Sequence, residues 1–146
     1  MKKKLKVASK SNITIDANIE ALKKIKINNV YYNITRICWK YDTPYVLLYK
    51  DKEIVEMVLR GLRYQYYFKF EKSPLVDSDE VEGFKKKVKE LEASKGIYII
   101  TGKFDSKVKM SKHLYFLRKI WLIDGEMFLK NQKSLKEMNF YRYIPK

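Results

Sequence analysis

The sequence has very little cysteine and histidine, the residues that form disulfides and most zinc sites. Its 146 residues include one cysteine, Cys38, and one histidine, His113. A single cysteine has no disulfide partner, and a single histidine without a cysteine cluster argues against a zinc site and against a Cys–His nucleophilic pair. Cys38 lies in an apolar stretch, so we expect it to be a small core residue.

Long apolar runs are also missing. No run approaches the length of a membrane-spanning helix, and the N-terminal residues 1–10, MKKKLKVASK, lack the apolar centre of a signal peptide. These two absences predict a protein that has no membrane partner and that is intracellular, either cytoplasmic or associated with DNA.

Acidic residues are scarce beside basic ones. The chain has 32 Lys and Arg against 17 Asp and Glu, which gives a net charge of +15. Such a field concentrates polyanions, of which nucleic acid is the commonest in cells; a general bias toward lysine is the other explanation. The length predicts a single domain over residues 1–146, with a basic arm at 1–10 and a short C-terminal extension at 131–146.

The first half of the chain carries mainly strand patterns, because it is rich in β-branched and aromatic residues. Alternation over residues 64–72 places Phe68 and Phe70 on one face of a strand. Lys69 and Glu71 then lie on the other face. The predicted elements are a short helix that Asp16 caps and the Asn28-Asn29 pair ends, strands over 30–39 and 45–49, a segment over 53–62 that fits a strand or a helix, and the strand over 64–72.

The second half alternates helix and strand patterns. Two apolar runs, 97–101 and 120–123, suit strands buried on both faces, and the helical pattern between them predicts a βαβ crossover. The two halves together predict an α/β domain with a mixed central sheet. The predicted elements are a helix that starts after Asp77, buries Val81, Phe84, Val88 and Leu91 and stops at Gly96, the strand 97–101, a basic helix opened by Phe104 and Asp105 with Val108, Met110, Leu114 and Leu117 inward, the strand 120–123, and short helices over 127–129 and 134–138.

The segment ASKGIYIIT at residues 93–101, with Phe104 after it and LIDGEMF at 122–128, resembles the Mrr-type restriction endonucleases of the PD-(D/E)XK nuclease superfamily. In that family a glycine-led strand ending in threonine precedes a helix opened by phenylalanine, and a strand ending in Leu-Ile-Asp-Gly leads into a last helix. The amphipathic helix at Val81 also stands where the family has one, just after its catalytic strand. The resemblance covers residues 66–130 and implies a restriction-endonuclease-like fold, a mixed β-sheet flanked by helices.

The resemblance also implies a metal-dependent cleavage site, from which this chain departs. The family has an acid on one strand and Gln/Glu-x-Lys on the next; the carboxylates hold Mg²⁺, and the lysine stabilises developing charge. Here Lys69 falls where Gln/Glu is expected and Glu71 where lysine is expected, and Asp42, Asp51 and Glu56 are substitutes for the upstream acid. Either the exchanged pair and Glu56 still form a functional site, or the site is degenerate and the pair is a salt bridge on a solvated face. The second interpretation is favoured, because exchanged residues rarely keep catalytic geometry.

Three functions are compatible with these observations, and they leave open whether the chain is an enzyme. The leading hypothesis is a nucleic-acid-binding protein, with DNA the expected partner, on a PD-(D/E)XK nuclease scaffold whose catalysis is weak or lost. The alternatives are an active Mg²⁺-dependent endodeoxyribonuclease of the Mrr type and a non-catalytic subunit, as a homodimer or in a larger nucleic-acid-processing complex. Mg²⁺ is expected as a cofactor only if the chain is active. The predicted catalytic residues are Glu56, Lys69 and Glu71, of which Glu56 and Glu71 would bind the metal, and the predicted nucleic-acid-binding residues are Arg60, Arg63, Lys69, Lys72, Lys85, Lys86, Lys103 and Lys107.

Overall fold

The computed structural model describes residues 18–108 and 119–146. Within these ranges the chain is mixed α/β, with a five-stranded mixed sheet flanked by helices, as the sequence predicts at this level. Residues 18–23 are helical, and no helix in the described ranges is long and apolar enough to cross a membrane. The remaining elements are α1 (Ile27–Lys40), β1 (Tyr45–Lys50), β2 (Ile54–Arg60), β3 (Gln65–Glu71), β4 (Leu75–Val76), α2 (Ser78–Glu90), β5 (Lys95–Ile100), β6 (Lys103–Phe104), β7 (Ile120–Ile123), α3 (Gly125–Leu129) and a 3-10 turn (Tyr141–Tyr143).

The five strands of the main sheet lie in the order β1-β2-β3-β5-β7. β1, β2 and β3 form an antiparallel meander, whereas β5 runs parallel to β3 and β7 runs parallel to β5. Parallel neighbours need a crossover connection, and α2 is the helix that connects β3 to β5. β3, β5 and β7 therefore end at one edge of the sheet, which we call the carboxyl edge; Lys72, Thr101 and Asp124 follow the three strands there. β4 and β6 pair separately in a small parallel sheet.

α1 replaces the strand predicted over residues 30–39, so that prediction is wrong. Val30, Ile34 and Cys38 recur every four residues, and all three are buried in one core. Strand propensity is a weak preference, and the burial of one helical face outweighs it here. The Asn28-Asn29 pair, which was expected to end a helix, lies in the first turn of this one.

α2 begins and packs as the sequence predicts. The Asp77 carboxylate caps it by accepting a hydrogen bond from a first-turn backbone N–H at 2.8 Å. Val81, Phe84 and Val88 form its buried face. Gly96 was predicted to stop the helix, and that prediction is wrong. It lies in β5, where an added Cβ would come within 2.4 Å of Val88 Cγ2. This glycine is required by the close approach of α2 to the sheet.

The other predicted elements have mixed outcomes. The segment 53–62, which fitted either a strand or a helix, contains β2, and every strand predicted downstream of it is present. Residues 134–138 contain no helix, so that prediction is wrong. Phe104 does not open a helix, because it pairs with Val76 in the small sheet. Three residues that were predicted to face inward on that helix lie outside the described ranges: Met110, Leu114 and Leu117.

Both faces of the sheet are covered. One face packs against α1, α3 and C-terminal residues, and the other packs against α2. C-terminal residues 131–146 contribute to the first core, since Phe140 is 0% exposed and its ring centroid lies 5.8 Å from that of Phe68 and 5.6 Å from that of Phe128. Cys38 is buried in the same core, as predicted, and burial raises the pKa of its thiol to about 11.

Candidate functional site

Three of the predicted site residues lie together on one face of the sheet. Glu56 on β2 is the register partner of Lys69 on β3, and Lys69 is in turn the register partner of Tyr98 on β5. Glu71 lies two residues after Lys69 and therefore projects from the same face, as does Tyr67 two residues before it. This is the face that α2 covers. We call these five residues the Glu–Tyr cluster.

Each carboxylate of the Glu–Tyr cluster accepts a hydrogen bond from a buried tyrosine. The Tyr67 hydroxyl donates to Glu56 Oε1, and the Tyr98 hydroxyl donates to Glu71 Oε1 at 2.5 Å. The two tyrosines are 2% and 0% exposed. Burial first, and then the accepting carboxylate, raises the pKa of each phenol above its ordinary value. Both phenols are therefore protonated donors at neutral pH, and they hold the two carboxylates in place.

A stack of aromatic rings positions these hydroxyls. The Phe84 ring on α2 lies 5.1 Å from the Tyr67 ring and 4.7 Å from the Tyr98 ring, centroid to centroid. Val81 and Val88 of the same helix belong to the same buried group. Aromatic pairs at such distances have preferred geometries, so the packing of α2 fixes the direction in which each phenol points. The apolar stripe that the sequence shows for α2 thus also builds the site.

Lys69 lies between an acidic group and an aromatic one. Its Nζ is 3.6 Å from Glu71 Oε1 and 4.9 Å from the centroid of the Tyr98 ring. The side chains of Lys69 and Glu71 are 19% and 14% exposed. The predicted salt bridge between Lys69 and Glu71 is therefore present. The prediction that it lies on a solvated face is wrong, because α2 covers much of this face and leaves the pair mostly buried.

Glu80, in the first turn of α2, brings a third carboxylate near the cluster. Glu80 is exposed as a residue, but partial desolvation of its carboxyl raises the pKa, and the negative charges of Glu71 and Asp77 raise it further. The backbone hydrogen bond with Asp77 and the charge of Lys69 oppose the rise. Glu80 and both tyrosines were not among the site residues predicted from the sequence. Alternation along β3 was a signal for the tyrosine that shares a face with Lys69. The place of the β5 tyrosine beside Lys69 depends on the register between parallel strands, which cannot be read from a single sequence.

The Glu–Tyr cluster is a poor fit to a metal ion. Among the described residues, no group of three or more His, Cys, Asp or Glu side chains is placed to hold one. The predicted metal ligands, Glu56 and Glu71, already accept phenol hydrogens, and the ammonium of Lys69 lies beside Glu71. Mg²⁺ demands near-octahedral coordination by oxygen, and these neighbours compete with it for the carboxylate lone pairs. The cluster is a fixed pair of carboxylates that one lysine and two hydroxyl donors satisfy.

The predicted nucleic-acid-binding residues at the ends of strands fall into two groups. Arg60 ends β2 and Arg63 lies in the turn before β3, so both lie at the edge opposite the carboxyl edge. Lys72 follows β3 and Lys103 lies shortly after the end of β5, so both lie near the carboxyl edge. β3 has 7 residues, and at the rise of a strand such a length spans about 20 Å. The structure therefore separates the two groups.

The remaining basic residues of the prediction are exposed. Lys85 and Lys86 lie on α2, and Lys107 lies in the turn after β6. Lys85 Nζ lies 3.1 Å from Glu82 Oε1 in an exposed pair, which contributes little stability. Within the described ranges, the predicted residues that have no carboxylate at ion-pair distance are Arg60, Arg63, Lys72, Lys86, Lys103 and Lys107.

Comparisons of the chain with protein-family models, curated proteins and solved structures found no match. The features of the chain that bear on its function are therefore the basic side chains without carboxylate partners in the described ranges, the Glu–Tyr cluster, and the order of the elements around the sheet.

Proposed function

We propose that the chain binds nucleic acid, with DNA as the expected partner, on a restriction-endonuclease-like scaffold that has lost cleavage. The observation that carries this proposal is positive charge without neutralising partners. The net charge is +15, and six of the predicted contact residues have no carboxylate at ion-pair distance in the described ranges. Cations of this kind attract a polyanion, and each phosphate contact releases a condensed counterion.

The order of the elements supports the scaffold in this proposal. α2 comes directly after the strand that carries Lys69 and Glu71, where the family that the sequence resembles has its amphipathic helix. β5 and β7 then continue the sheet in parallel, and Asp124-Gly125 leads from β7 into α3. Phe104 departs from the resemblance, because it lies in β6.

The Glu–Tyr cluster supports the loss of cleavage. Metal-assisted hydrolysis of a phosphodiester needs carboxylates that are open to Mg²⁺, which polarises the phosphate and activates water. In this chain Glu71 lies against Lys69, and each of the two carboxylates receives a phenol hydrogen bond. Lys69 is also mostly buried, which holds its ammonium away from a phosphate in solvent.

An active Mg²⁺-dependent endodeoxyribonuclease of the Mrr type is the second candidate. The observation in its favour is that Glu56, Lys69 and Glu71 lie on one face of two neighbouring strands. In that case Mg²⁺ would supply the Lewis acid. Glu56 and Glu71 would have to exchange their tyrosine partners for the metal.

Association with other subunits is the third candidate, and it stays a prediction. β1 is an edge strand of the sheet, and Val46, Leu47 and Leu48 on it are 40%, 39% and 40% exposed. Exposed apolar edge strands can pair with another chain. Sedimentation velocity measures whether the chain forms a homodimer or remains monomeric.

A salt series of binding measurements tests the proposal. Fluorescence anisotropy of a labelled duplex is recorded with the wild-type chain between about 50 and about 200 mM salt, since phosphate contacts give log K a slope of about −0.9 per contact. We expect a steep negative slope and weaker binding by the Arg60→Gln/Arg63→Gln double variant. Lys130→Gln/Lys133→Gln, which removes the same charge at exposed positions outside the predicted interface, is the control. Binding that is absent at low salt, or independent of salt, contradicts the proposal.

A further inference from the structure

A groove of about 600 Å³ lies between the start of α1 and the turn that joins β1 to β2. It lies on the α1 side of the sheet, opposite the Glu–Tyr cluster. Two of its lining residues, Lys50 of β1 and Asn28 of α1, are joined there by a hydrogen bond from Lys50 Nζ to Asn28 Oδ1 at 2.5 Å. The groove extends to the carboxyl edge, because Lys72, which also lines it, follows β3 directly. The lining residues are Lys26, Ile27, Asn28, Lys50, Asp51, Lys52, Glu53 and Lys72.

The two acidic residues of the groove do not neutralise its four lysines. The Asp51 carboxylate accepts the Tyr49 hydroxyl at 2.6 Å and the backbone N–H groups of Glu53 and Ile54 at 2.7 and 2.8 Å. The bond from Tyr49, followed by the bond from the Glu53 backbone, lowers the pKa of Asp51, so its charge is held in the turn. Within the described ranges, no carboxylate lies at ion-pair distance from Lys26, Lys50, Lys52 or Lys72.

The start of α1 adds to the positive potential of the groove. The N-cap residue Lys26 makes no side-chain capping bond, and no acidic residue lies in the first turn. Among the described residues, the backbone N–H groups of Ile27 and Asn28 have no acceptor. The first N–H groups of a helix carry partial positive charge, and anions bind there readily.

The lining residues also indicate which anion fits. None of them is aromatic, and Ile27 is the one apolar residue among them. A nucleotide base needs a stacking surface or a base-edge contact, whereas a phosphate needs only cations and N–H donors. The groove therefore has the cations and N–H donors that a phosphate needs, and no aromatic ring lines it on which a base could stack.

We propose that this groove binds a backbone phosphate of the nucleic acid, with Lys26, Lys52 and Lys72 as its contacts. The proposal rests on the proposed function and names one place on the chain, besides Arg60 and Arg63 at the opposite edge, where nucleic acid is bound. Lys50 is bound to Asn28 and lies over the Tyr31 ring at 5.4 Å, so it supplies charge without a free ammonium.

The first experiment compares two triple variants with equal loss of charge. Lys26→Gln/Lys52→Gln/Lys72→Gln alters the groove, and the control is Lys130→Gln/Lys133→Gln/Lys136→Gln, whose residues are exposed and lie outside the groove. In duplex binding, the groove variant should flatten the salt slope by about 0.9, the amount for one phosphate, and its loss of affinity should exceed that of the control about tenfold or more. Equal slopes in the two variants overturn the groove proposal and leave nucleic-acid binding standing. Thermal unfolding of both variants checks that each is folded.

The second experiment does not depend on nucleic acid. Inorganic phosphate is titrated into the ¹⁵N-labelled wild-type chain at constant ionic strength, with chloride as the reference. Saturable amide shifts at Ile27, Asn28 and Glu53 that the groove variant lacks support the site, and unchanged shifts overturn it even where duplex binds. Phosphate shifts in a chain that binds no duplex would reject the proposed function and the backbone assignment while keeping an anion site. If ATP saturates these amide shifts at a much lower concentration than phosphate does, and duplex does not compete with it, the groove is a nucleotide site. That result would overturn the assignment to backbone.

Discussion

Tyr98 on β5 and Lys69 on β3 meet at one oxygen of Glu71. The phenol hydroxyl lies 2.5 Å and the ammonium nitrogen 3.6 Å from Glu71 Oε1. This carboxylate is therefore satisfied inside the protein, in a position that is mostly buried. A metal ion that binds Oε1 of Glu71 would have to displace or compete with these two partners.

The two buried phenols of the cluster predict how stability depends on pH. The pKa values of Tyr67 and Tyr98 lie above the ordinary value of 10.0, so their contribution to stability is complete below about pH 10 and is lost as the pH rises above it. We expect the free energy of unfolding in urea to fall above pH 10. The free energy of unfolding of the Tyr67→Phe/Tyr98→Phe variant should fall less steeply with pH, by about 1.4 kcal/mol per pH unit for each tyrosine. Parallel pH curves for the two chains would contradict the buried hydrogen bonds.

Exchanging Lys69 and Glu71 tests whether their order accounts for the proposed loss of cleavage. Lys69→Glu/Glu71→Lys keeps the net charge and places a carboxylate at 69, the register partner of Glu56. Two carboxylates on neighbouring strands with a lysine two residues on restore the order that the resembling family uses. We expect this variant to bind Mn²⁺ in a titration calorimeter and the wild-type chain to bind none. Binding by the wild-type chain, lost in Glu71→Ala, would favour the nuclease candidate.

Two glycines predict opposite effects of the same substitution. Gly96→Ala places a Cβ 2.4 Å from Val88 Cγ2 and 2.9 Å from Phe84 Cε1, and overpacking of this kind costs about 1–3 kcal/mol. Gly83→Ala on α2 meets no atom within 4 Å, and alanine in a helix is favoured over glycine by about 0.5–1 kcal/mol. Urea unfolding measures both. Destabilisation of similar size in the two variants would contradict the packing of α2 on β5.

The C-terminal segment is predicted to be necessary for the core. Phe140 is fully buried among aromatic rings, and Phe140→Ala should cost about 3–5 kcal/mol in the free energy of unfolding. Leu62→Ala is the control, since Leu62 is 101% exposed and a surface change of this type stays within about 0.5 kcal/mol. A loss under about 1 kcal/mol for Phe140→Ala would mean that residues 131–146 form an appended extension after all.

Several elements could be predicted from the sequence because their signals are local. The α2 stripe of Val81, Phe84 and Val88 and the cap at Asp77 lie within one helix, and the alternation of β3 is visible in seven residues. α1 was mistaken for a strand because its residues are β-branched and aromatic, although their four-residue spacing decides the structure once a sheet is present to bury it.

The site could be predicted only in part. Glu56, Lys69 and Glu71 were identified, and the structure places them on one face. Their burial and their tyrosine partners could not be predicted, because both depend on parallel register and on how closely α2 approaches the sheet at Gly96. The groove lined by Lys26 and Lys72 was missed for the same reason, since these two residues are distant in sequence and line one groove only in the fold.

Incubation of supercoiled plasmid with the wild-type chain tests most directly the central claim that nucleic acid is bound and not cut. The incubation is made in low salt with Mg²⁺ or Mn²⁺, beside the Glu71→Ala variant, and the plasmid is resolved on native gels before and after the protein is removed. We expect plasmid that is retarded while the protein is bound and fully supercoiled once the protein is removed, with both chains and both metals. Plasmid that is not retarded, or that is nicked or linearised by the wild-type chain and left intact by Glu71→Ala, would contradict it.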